Sequence, residues 1–325
     1  MIAEATLRSL FAQDPSARVL RDLPRSEEEG SGFRASAETP PEDARVVEGS
    51  SFGLRPVAAS PNSELRYFLD GAQKSRLAMF YGFLPVYLAH LSACVCERSE
   101  REILAPEHYE GRLIAFGPPE ACNRIGQMLE VEALAAGEDD TEATFREKIA
   151  QWISQRRERM ELAVARSLLD ARPEGWICID GGIGRLIQGT PGASRIVGLV
   201  KSHGKRYFRS QERLDLIRDM KSENRSTVFV READVRQGDK AYSFYLKLRE
   251  SATDGPLHGL VRVEMPAEDR YIELADEIAG WILAERDPLS LPDPRFDRLI
   301  YPISLVEANL RARQPSEASL RGILG

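Results

Sequence analysis

The chain has 325 residues, of which 42% are hydrophobic and 29% charged, the profile of an ordinary globular protein that needs neither disulfides nor metals to form a core. A formal net charge of −7 excludes the generally basic surface of a nucleic-acid coat protein, although local basic patches remain compatible with it. The four cysteines form no CxxC pair, and because no signal peptide is evident at Met1, we expect buried thiols and a cytoplasmic location.

The first 60 residues differ in composition from the rest. Residues 1–21 contain a short helix pattern, and the stretches SEEEGSG and SAETPPEDA that follow are rich in Glu, Ser, Gly and Pro. Such segments bury little apolar surface. We therefore expect residues 1–60 to form a partly mobile arm or linker and residues 61–325 to form the folded domain.

Strand patterns open the folded domain. They cover Arg66–Asp70, then one or two strands within Leu77–Glu97, and then Arg112–Phe116. Residues 77–96 are apolar over about the length of a membrane span. Gly82 and Pro85 interrupt this stretch, so we expect a turn between two buried strands and no membrane association.

The clearest helix covers Thr141–Asp170, where apolar residues recur at helical spacing and Thr141 is placed to cap the first turn. The other predicted helices are Pro119–Ala136, Gln211–Lys221, Asp269–Glu285 and Asp297–Arg313. The other predicted strands are Trp176–Asp180, Arg195–Lys201, Ser226–Arg231, Ala241–Arg249 and Gly259–Met265. This order predicts a mixed α/β fold with a largely antiparallel central sheet and flanking helices, because it lacks the regular βα alternation of a Rossmann or TIM fold.

Two apolar strands are each followed by an Asp-Gly pair, at Asp70 and at Asp180. Asp-Gly is also the commonest hairpin turn, so either pair alone is ambiguous. If the strands are neighbours, their carboxylates lie close together and repel each other unless a cation lies between them. The pairs thus indicate a site for a hard divalent cation, Mn²⁺ or Mg²⁺.

A third carboxylate is expected from the long helix, at Glu158 or Glu161. At 100° per residue Glu161 lies about 20° from Leu168, at the edge of the apolar arc, whereas Glu158 lies nearer the polar side. We therefore prefer Glu161. A solvated surface Glu is the alternative for either residue.

Basic residues follow the strand that ends at Lys201. Lys205, Arg206 and Arg209 alternate with aromatic residues in the sequence KSHGKRYFR, a composition that suits phosphate groups and stacked bases. An exposed charged loop is the alternative interpretation. The four histidines have no zinc-binding spacing, and the chain has no P-loop and no GxSxG motif.

These motifs occur in a familiar order. FLDGAQ, a long helix with a Glu, WICIDGG, IVGLVKSHG and RLIYPISLVEANL resemble the NurA nucleases over roughly residues 63 to 315. The resemblance implies an RNase H-like core, a homodimer with a central channel and a hexameric HerA-type ATPase as partner. It also implies Mn²⁺-stimulated cleavage of single- and double-stranded DNA during end processing or defence.

The resemblance assigns roles to individual residues. Asp70, Glu161 and Asp180 would hold the metal, and Lys201 would neutralise the scissile phosphate. Tyr301, followed by Pro302, would position a water or phosphate oxygen. Asn309 stands where the family usually has His, and it would still contact a water or phosphate.

Two other interpretations stay open at this stage. One is a non-catalytic dimeric adaptor of a HerA-type ATPase, for which Asn309 is the main support. The other is a nuclease that uses the same carboxylates on RNA, because recognition of the 2′-hydroxyl is not visible in a sequence. The acidic run Ser26–Glu29 is not expected to contact DNA on electrostatic grounds.

Overall fold

The computed structural model describes residues 6–21, 43–99, 102–103, 108–171, 174–189, 193–201, 207–230, 241–250, 255–286 and 300–325. Within these ranges, most strands join one large sheet. The strands are β1 Ala17–Val19, β2 Arg45–Val46, β3 Leu54–Pro56, β4 Leu65–Tyr81, β5 Leu84–Ser99, β6 Glu102–Ile103, β7 His108–Gly117, β8 Glu130–Ala133, β9 Trp176–Asp180, β10 Ile196–Val200, β11 Asn224–Ser226, β12 Phe229–Val230, β13 Ala241–Lys247 and β14 Leu260–Pro266. The central path runs β2-β12-β13-β14-β10-β9-β4-β5-β7-β8.

The sheet is mixed. Strand β9 pairs in parallel with both β4 and β10, and β7 pairs in parallel with β8, while the other described pairs are antiparallel. The predicted mixed α/β class is confirmed. The predicted antiparallel character holds only in part, because the three central strands that carry the candidate site are parallel to one another.

Helices flank both faces of the sheet. They are α1 Leu7–Leu10, α2 Pro119–Ile125, α3 Glu142–Asp170, α4 Gly184–Gly189, α5 Gln211–Arg218, α6 Asp269–Glu273, α7 Ala275–Ala284, α8 Tyr301–Ala312 and α9 Glu317–Leu324. The prediction for α3 is confirmed, including its cap: the Thr141 side chain accepts a hydrogen bond from the amide of Thr144 at 3.3 Å. No helix in the described ranges is long and apolar enough to cross a membrane.

Alternation along the central strands sorts their side chains between two cores. Leu69 and Ile179 pack into the cluster that includes the apolar side of α3. Phe68 and Cys178 pack into the other cluster, which includes residues of α7 and α8. Two residues further along each strand, Asp70 and Asp180 therefore belong to the face covered by α8.

Two sequence predictions of secondary structure are wrong. The helix expected over 119–136 ends at Ile125, and residues 130–133 instead form β8 beside β7. The strand expected to end at Asp70 continues to Tyr81 and is 17 residues long in all, and Gly82, with a φ of +58°, then turns the chain into β5. The long β4–β5 hairpin thus accounts for the apolar stretch that resembles a membrane span.

The described parts of residues 1–60 pack on the sheet. β1 pairs with the end of β4, β2 with β12, and β3 with β11. The acidic run Ser26–Glu29 lies outside the described residues, and the domain boundary near residue 60 stays a prediction. All four cysteines are buried and free, as expected.

Candidate metal centre

Asp70 and Gly71 lie within β4, so this Asp-Gly pair does not form the turn that its sequence suggests. The Asp70 side chain is 5% exposed, and its Oδ1 accepts a hydrogen bond from the Gly71 amide at 2.8 Å. A Cβ at Gly71 would collide with Oε1 of Glu161 on α3. The glycine therefore permits the close approach of a helical carboxylate to the strand.

Asp180 does end its strand, as predicted. Leu69 of β4 pairs in register with Ile179 of β9, so Asp70 and Asp180 follow at neighbouring positions. Gly181 then turns away with a φ of +131°. A Cβ at Gly198 would collide with the Gly181 carbonyl oxygen, so glycine on β10 leaves room for this turn.

A third carboxylate comes from α8, at Glu307. Ligand atoms of Asp70, Asp180 and Glu307 all lie within 4.8 Å of one another. Sequence reasoning missed Glu307, although a signal was present. It falls four residues after Ile303 and three before Leu310, both of which are buried, so it lies on the sheet-facing side of its helix.

Glu161 lies beside this group of three and not within it. It projects from α3, on the other side of the sheet, and reaches Gly71 at the point where β9 has ended. Its carboxylate is ion-paired with Arg157, one turn earlier on the same helix. The predicted ligand role of Glu161 therefore stays a prediction, and its position next to the group is compatible with that role.

Lys201 reaches into the acidic group from the residue after β10. Its Nζ lies 2.6 Å from Asp180 Oδ2 and 3.1 Å from Glu307 Oε1. Burial alone would lower the pKa of Lys201, but the carboxylates of Asp180 and Glu307 hold it above its usual value. The ammonium thus bridges two of the three carboxylates.

The remaining electrostatics show an excess of negative charge. Burial, followed by the charge of Asp180, raises the pKa of Asp70 well above its ordinary value. Burial also raises the pKa of Asp180, in spite of Lys201. Burial raises the pKa of Glu161 to about 7, with Arg157 opposing and Asp180 contributing to the rise. A carboxylate cluster of this kind is stabilised by a bound cation.

The group lies at the floor of a cavity of about 460 Å³. β4 continues past the end of β9, and among the described strands none pairs with residues 71–77 on that side, so a gap opens in the sheet. Helix α3 forms one wall and α8, with the residues after it, forms the other. The lining residues are Asp70, Gly71, Ala72, Gln73, Ser154, Arg157, Asp180, Glu307, Arg311 and Gln314.

The other predicted site residues are not among the residues that line the cavity, or they lie outside the described ranges. Tyr301 begins α8, and its amide donates to the Glu285 carbonyl at 2.8 Å. Asn309 Nδ2 donates to the Leu305 carbonyl at 3.1 Å. Neither residue lines the cavity. Arg209 is exposed, whereas Lys205 and Arg206 lie outside the described residues. Their roles stay predictions.

The suggestion that aromatic residues near Lys201 stack on bases is wrong for the two that are described. Tyr207 is 5% exposed and Phe208 is fully buried. Both rings pack against Phe229 within a hydrophobic cluster. They therefore anchor the segment to the sheet and present no free face to a ligand.

The donor set fits a hard cation. Carboxylate oxygens from three separate elements converge at one point, and the ligands preferred by Mg²⁺ and Mn²⁺ are oxygens of this kind. Asp70 is nine-tenths buried and lines the cavity without an ion-pair partner among the described residues. Fold and site together define a mixed α/β protein with an acidic candidate metal centre in a gap of its sheet.

Comparison with known proteins gives a distant likeness among solved structures. No protein-family model and no curated protein sequence matches the chain. Among solved structures, it is similar to the NurA nuclease from Sulfolobus solfataricus, with 12% identity and a TM-score of 0.45 over 78% of this chain and 82% of the other. A similarity of this degree is too low to transfer residue roles or an activity.

Proposed function

We propose that this chain is a metal-dependent nuclease that hydrolyses phosphodiester bonds in single- and double-stranded DNA. The observation that carries the proposal is the convergence of Asp70, Asp180 and Glu307 within 4.8 Å at the floor of an open cavity. Buried carboxylates repel one another, so such a group is stable when a cation neutralises it.

The geometry supports a specific set of metal ligands. Asp70, Asp180 and Glu307 would hold Mn²⁺ or Mg²⁺, and Glu161 would join them from the opposite wall after leaving Arg157. A cation bound there would activate a water at neutral pH and stabilise charge on the attacking and leaving oxygens.

Lys201 would act on the substrate. In the present arrangement its ammonium is shared between Asp180 and Glu307. A cation bound by these carboxylates would take over the neutralisation of their charge. The ammonium would then be available to a non-bridging oxygen of the scissile phosphate, where it would stabilise the charge that develops during hydrolysis.

The finer parts of the proposal rest on the strand order and on the order of sequence motifs. The strand order β7-β5-β4-β9-β10, in which β4, β9 and β10 are parallel, supports the RNase H-like core that the sequence resemblance implies. The motif order supports a homodimer that works in the cytoplasm with a HerA-type ATPase in DNA end processing or defence. On this view Tyr301 and Asn309, both on α8, would contact a water or a phosphate oxygen. Lys205, Arg206 and Arg209 would contact DNA phosphates.

One observation favours a second candidate, a non-catalytic adaptor of the same ATPase. The Lys201 ammonium neutralises part of the charge on Asp180 and Glu307. In an adaptor this ion bridge would be a structural substitute for the cation. Asp70 argues against this candidate, because it is buried and has no ion-pair partner among the described residues.

A cleavage assay separates the two candidates. Labelled linear duplex, single-stranded DNA and single-stranded RNA are incubated with the purified protein and Mn²⁺, Mg²⁺ or EDTA, with and without the ATPase. We expect DNA cleavage with Mn²⁺ or Mg²⁺ and none with EDTA, and loss of cleavage in Asp70→Asn and Asp180→Asn. Absence of metal-dependent cleavage even with the ATPase would support the adaptor, whereas preferential cleavage of RNA would change the substrate.

A further inference from the structure

The two helices that flank the acidic group carry the same pair of residues. On α3, Arg157 is ion-paired with Glu161 four residues later. On α8, Glu307 is ion-paired with Arg311 four residues later, at 3.2 Å. Each wall of the cavity thus presents one glutamate toward the centre and one arginine a single helical turn away.

Both arginines line the cavity, on opposite walls. Nε of Arg157 also donates a hydrogen bond to Oε1 of Gln73, on the part of β4 that lies in the gap, at 3.3 Å. Its side chain is 23% exposed, and that of Arg311 is 74% exposed. Both guanidinium groups are therefore accessible from the cavity, one close to its floor and one at its rim.

The charge of the cavity depends on the cation. Fully ionised, the four carboxylates of Asp70, Glu161, Asp180 and Glu307 outnumber the three cationic groups of Arg157, Lys201 and Arg311 by one. The cavity then repels a phosphate. A single divalent cation reverses the sign of the net charge, and the cavity then attracts a phosphate.

The same cation changes the partners of the arginines. If Glu161 and Glu307 turned toward a metal, Arg157 and Arg311 would share or lose their carboxylate partners. For Arg157, which is partly buried, a guanidinium without an acceptor would be unfavourable. Arg311, at the rim, would lose an ion pair that is exposed to solvent. The non-bridging oxygens of a phosphate can replace a carboxylate with bidentate geometry, which is the reason that arginine is frequent in phosphate sites.

We propose that Arg157 and Arg311 bind backbone phosphates on the two sides of the metal centre, so that the ligand is a phosphodiester chain held across the gap in the sheet. This inference rests on the proposed nuclease function and deepens it. Contacts of this kind fix the position of the strand and do not read its bases. The site would accordingly bind DNA with little sequence preference.

Binding of DNA without cleavage tests the proposal. Fluorescence anisotropy of a labelled single-stranded oligonucleotide is measured in Ca²⁺, across a range of salt concentrations, for the wild type, Arg157→Gln and Arg311→Gln. Arg156→Gln is the matched control, because Arg156 neighbours Arg157 on α3 but is ion-paired with Glu130 and Glu132 and does not line the cavity. Isothermal titration with Mn²⁺ alone gives the metal affinity of each protein.

The expected results distinguish binding from positioning. Each cavity arginine variant should bind the oligonucleotide roughly 5- to 30-fold more weakly, with a salt slope about 0.7 smaller per lost contact, while its Mn²⁺ affinity stays within about twofold. Arg157→Lys and Arg311→Lys, which keep the charge, should restore part of the affinity. Arg156→Gln should behave as the wild type.

Two results would overturn the proposal while the nuclease function stands. One is unchanged DNA affinity and salt slope in both cavity variants of a protein that cleaves DNA. The other is a loss of Mn²⁺ affinity with an unchanged salt slope, since the arginines would then only position the glutamates. A wild type that neither binds Mn²⁺ nor cleaves DNA would instead refute the proposed function, and this inference with it.

Discussion

Two ionic clusters in this molecule contain similar residues, but the pKa of a central carboxylate is lowered in one cluster and raised in the other. Around Arg225, which is 1% exposed, Glu48 and Asp276 accept from the guanidinium at 2.7 and 2.5 Å. Burial alone would raise the pKa of Glu48, but hydrogen bonds from Arg225 and the Val228 amide lower it below its usual value. At the candidate metal centre, by contrast, the pKa of Asp70 is raised by burial and by Asp180.

The difference shows how a structural ion cluster can be told from a site. In the Arg225 cluster the cation donates to both carboxylates, so the charges stabilise one another and the folded state. At the metal centre the carboxylates converge on a cavity and exceed the cations beside them. The direction of the carboxylate pKa shift therefore distinguishes a cluster whose charges are already paired from a cluster that a cation from solution would neutralise.

The largest effect is expected on catalysis. Asp70→Asn and Asp180→Asn should each reduce Mn²⁺-dependent DNA cleavage by at least roughly 10³-fold, because each removes a charged ligand from the cation. Initial rates on a labelled duplex at saturating Mn²⁺ provide the measurement. Asp219→Asn, at an exposed Asp paired with Arg218, is the control and should retain wild-type rates. Either site variant with near wild-type activity would contradict the assignment.

At the Arg225 cluster we expect an effect on stability. Arg225→Met removes the buried cation of this cluster and leaves the partly buried Glu48 with only the more exposed Arg55, so it should lower the free energy of unfolding by about 3–5 kcal/mol. Urea titration followed by circular dichroism measures this. A decrease in the free energy of unfolding below about 1 kcal/mol would show that the Arg225 ion pairs contribute little to stability.

Asp70→Asn should affect stability in a direction that depends on metal. The pKa of Asp70 is raised in the folded state, so above that pKa the ionised carboxylate disfavours folding. In EDTA at pH 8 the variant should therefore melt a few degrees higher than the wild type. At a Mn²⁺ concentration 100 times the Kd, the wild type should gain about 2.7 kcal/mol and the variant almost none. A variant that is less stable in EDTA would argue for a structural role of Asp70.

Gly71 tests the close approach between β4 and α3. Gly71→Ala places a methyl group against the Glu161 carboxylate, so we expect a loss of about 1–3 kcal/mol and displacement of Glu161 from the centre. Thermal melts and Mn²⁺ titrations measure the two effects. Gly53→Ala is the control, because a Cβ at Gly53 meets nothing within 4 Å. Equal behaviour of the two variants would show that the contact with Glu161 is unimportant.

The smallest effect is a pH dependence that involves Glu161, whose pKa is raised to about 7. A raised carboxylate pKa means that the metal-free protein loses stability as the pH rises from the unfolded value of about 4.5 toward 7. Ligation requires the deprotonated form, so Mn²⁺ affinity should rise over the same range and level off above pH 7. Glu161→Gln should flatten this rise in calorimetric titrations. An unchanged pH profile in the variant would exclude Glu161 as a ligand.

The sequence predicts the floor of the site better than its walls. Asp70 and Asp180 can be found because strand patterns are local and each residue follows an apolar run. The reason for Gly71 cannot be read in this way, since it depends on Glu161, 90 positions away in the chain. Glu307 is hidden for a similar reason: only the packing of α8 on β4 decides that its helical position faces Asp70 rather than apolar side chains.

Part of the fold is limited in the same way. The helix α3 is predictable because its periodicity extends over 29 residues. The parallel pairing of β4 with β9 joins segments more than 100 residues apart, and β9 pairs in parallel with β10 across the intervening helix α4; local patterns do not encode the direction of either pair. Tertiary pairing likewise converts residues 130–133 into a strand in spite of their helical pattern.

Anomalous scattering from crystals soaked in Mn²⁺ tests the central claim most directly, because it locates the cation independently of activity. We predict a manganese peak about 2.0–2.3 Å from carboxylate oxygens of Asp70, Asp180 and Glu307, with Lys201 moved away from Asp180. The peak should be absent in Asp70→Asn. A manganese ion bound elsewhere, or no ion at this site in a protein that still cleaves DNA with Mn²⁺, would contradict the account.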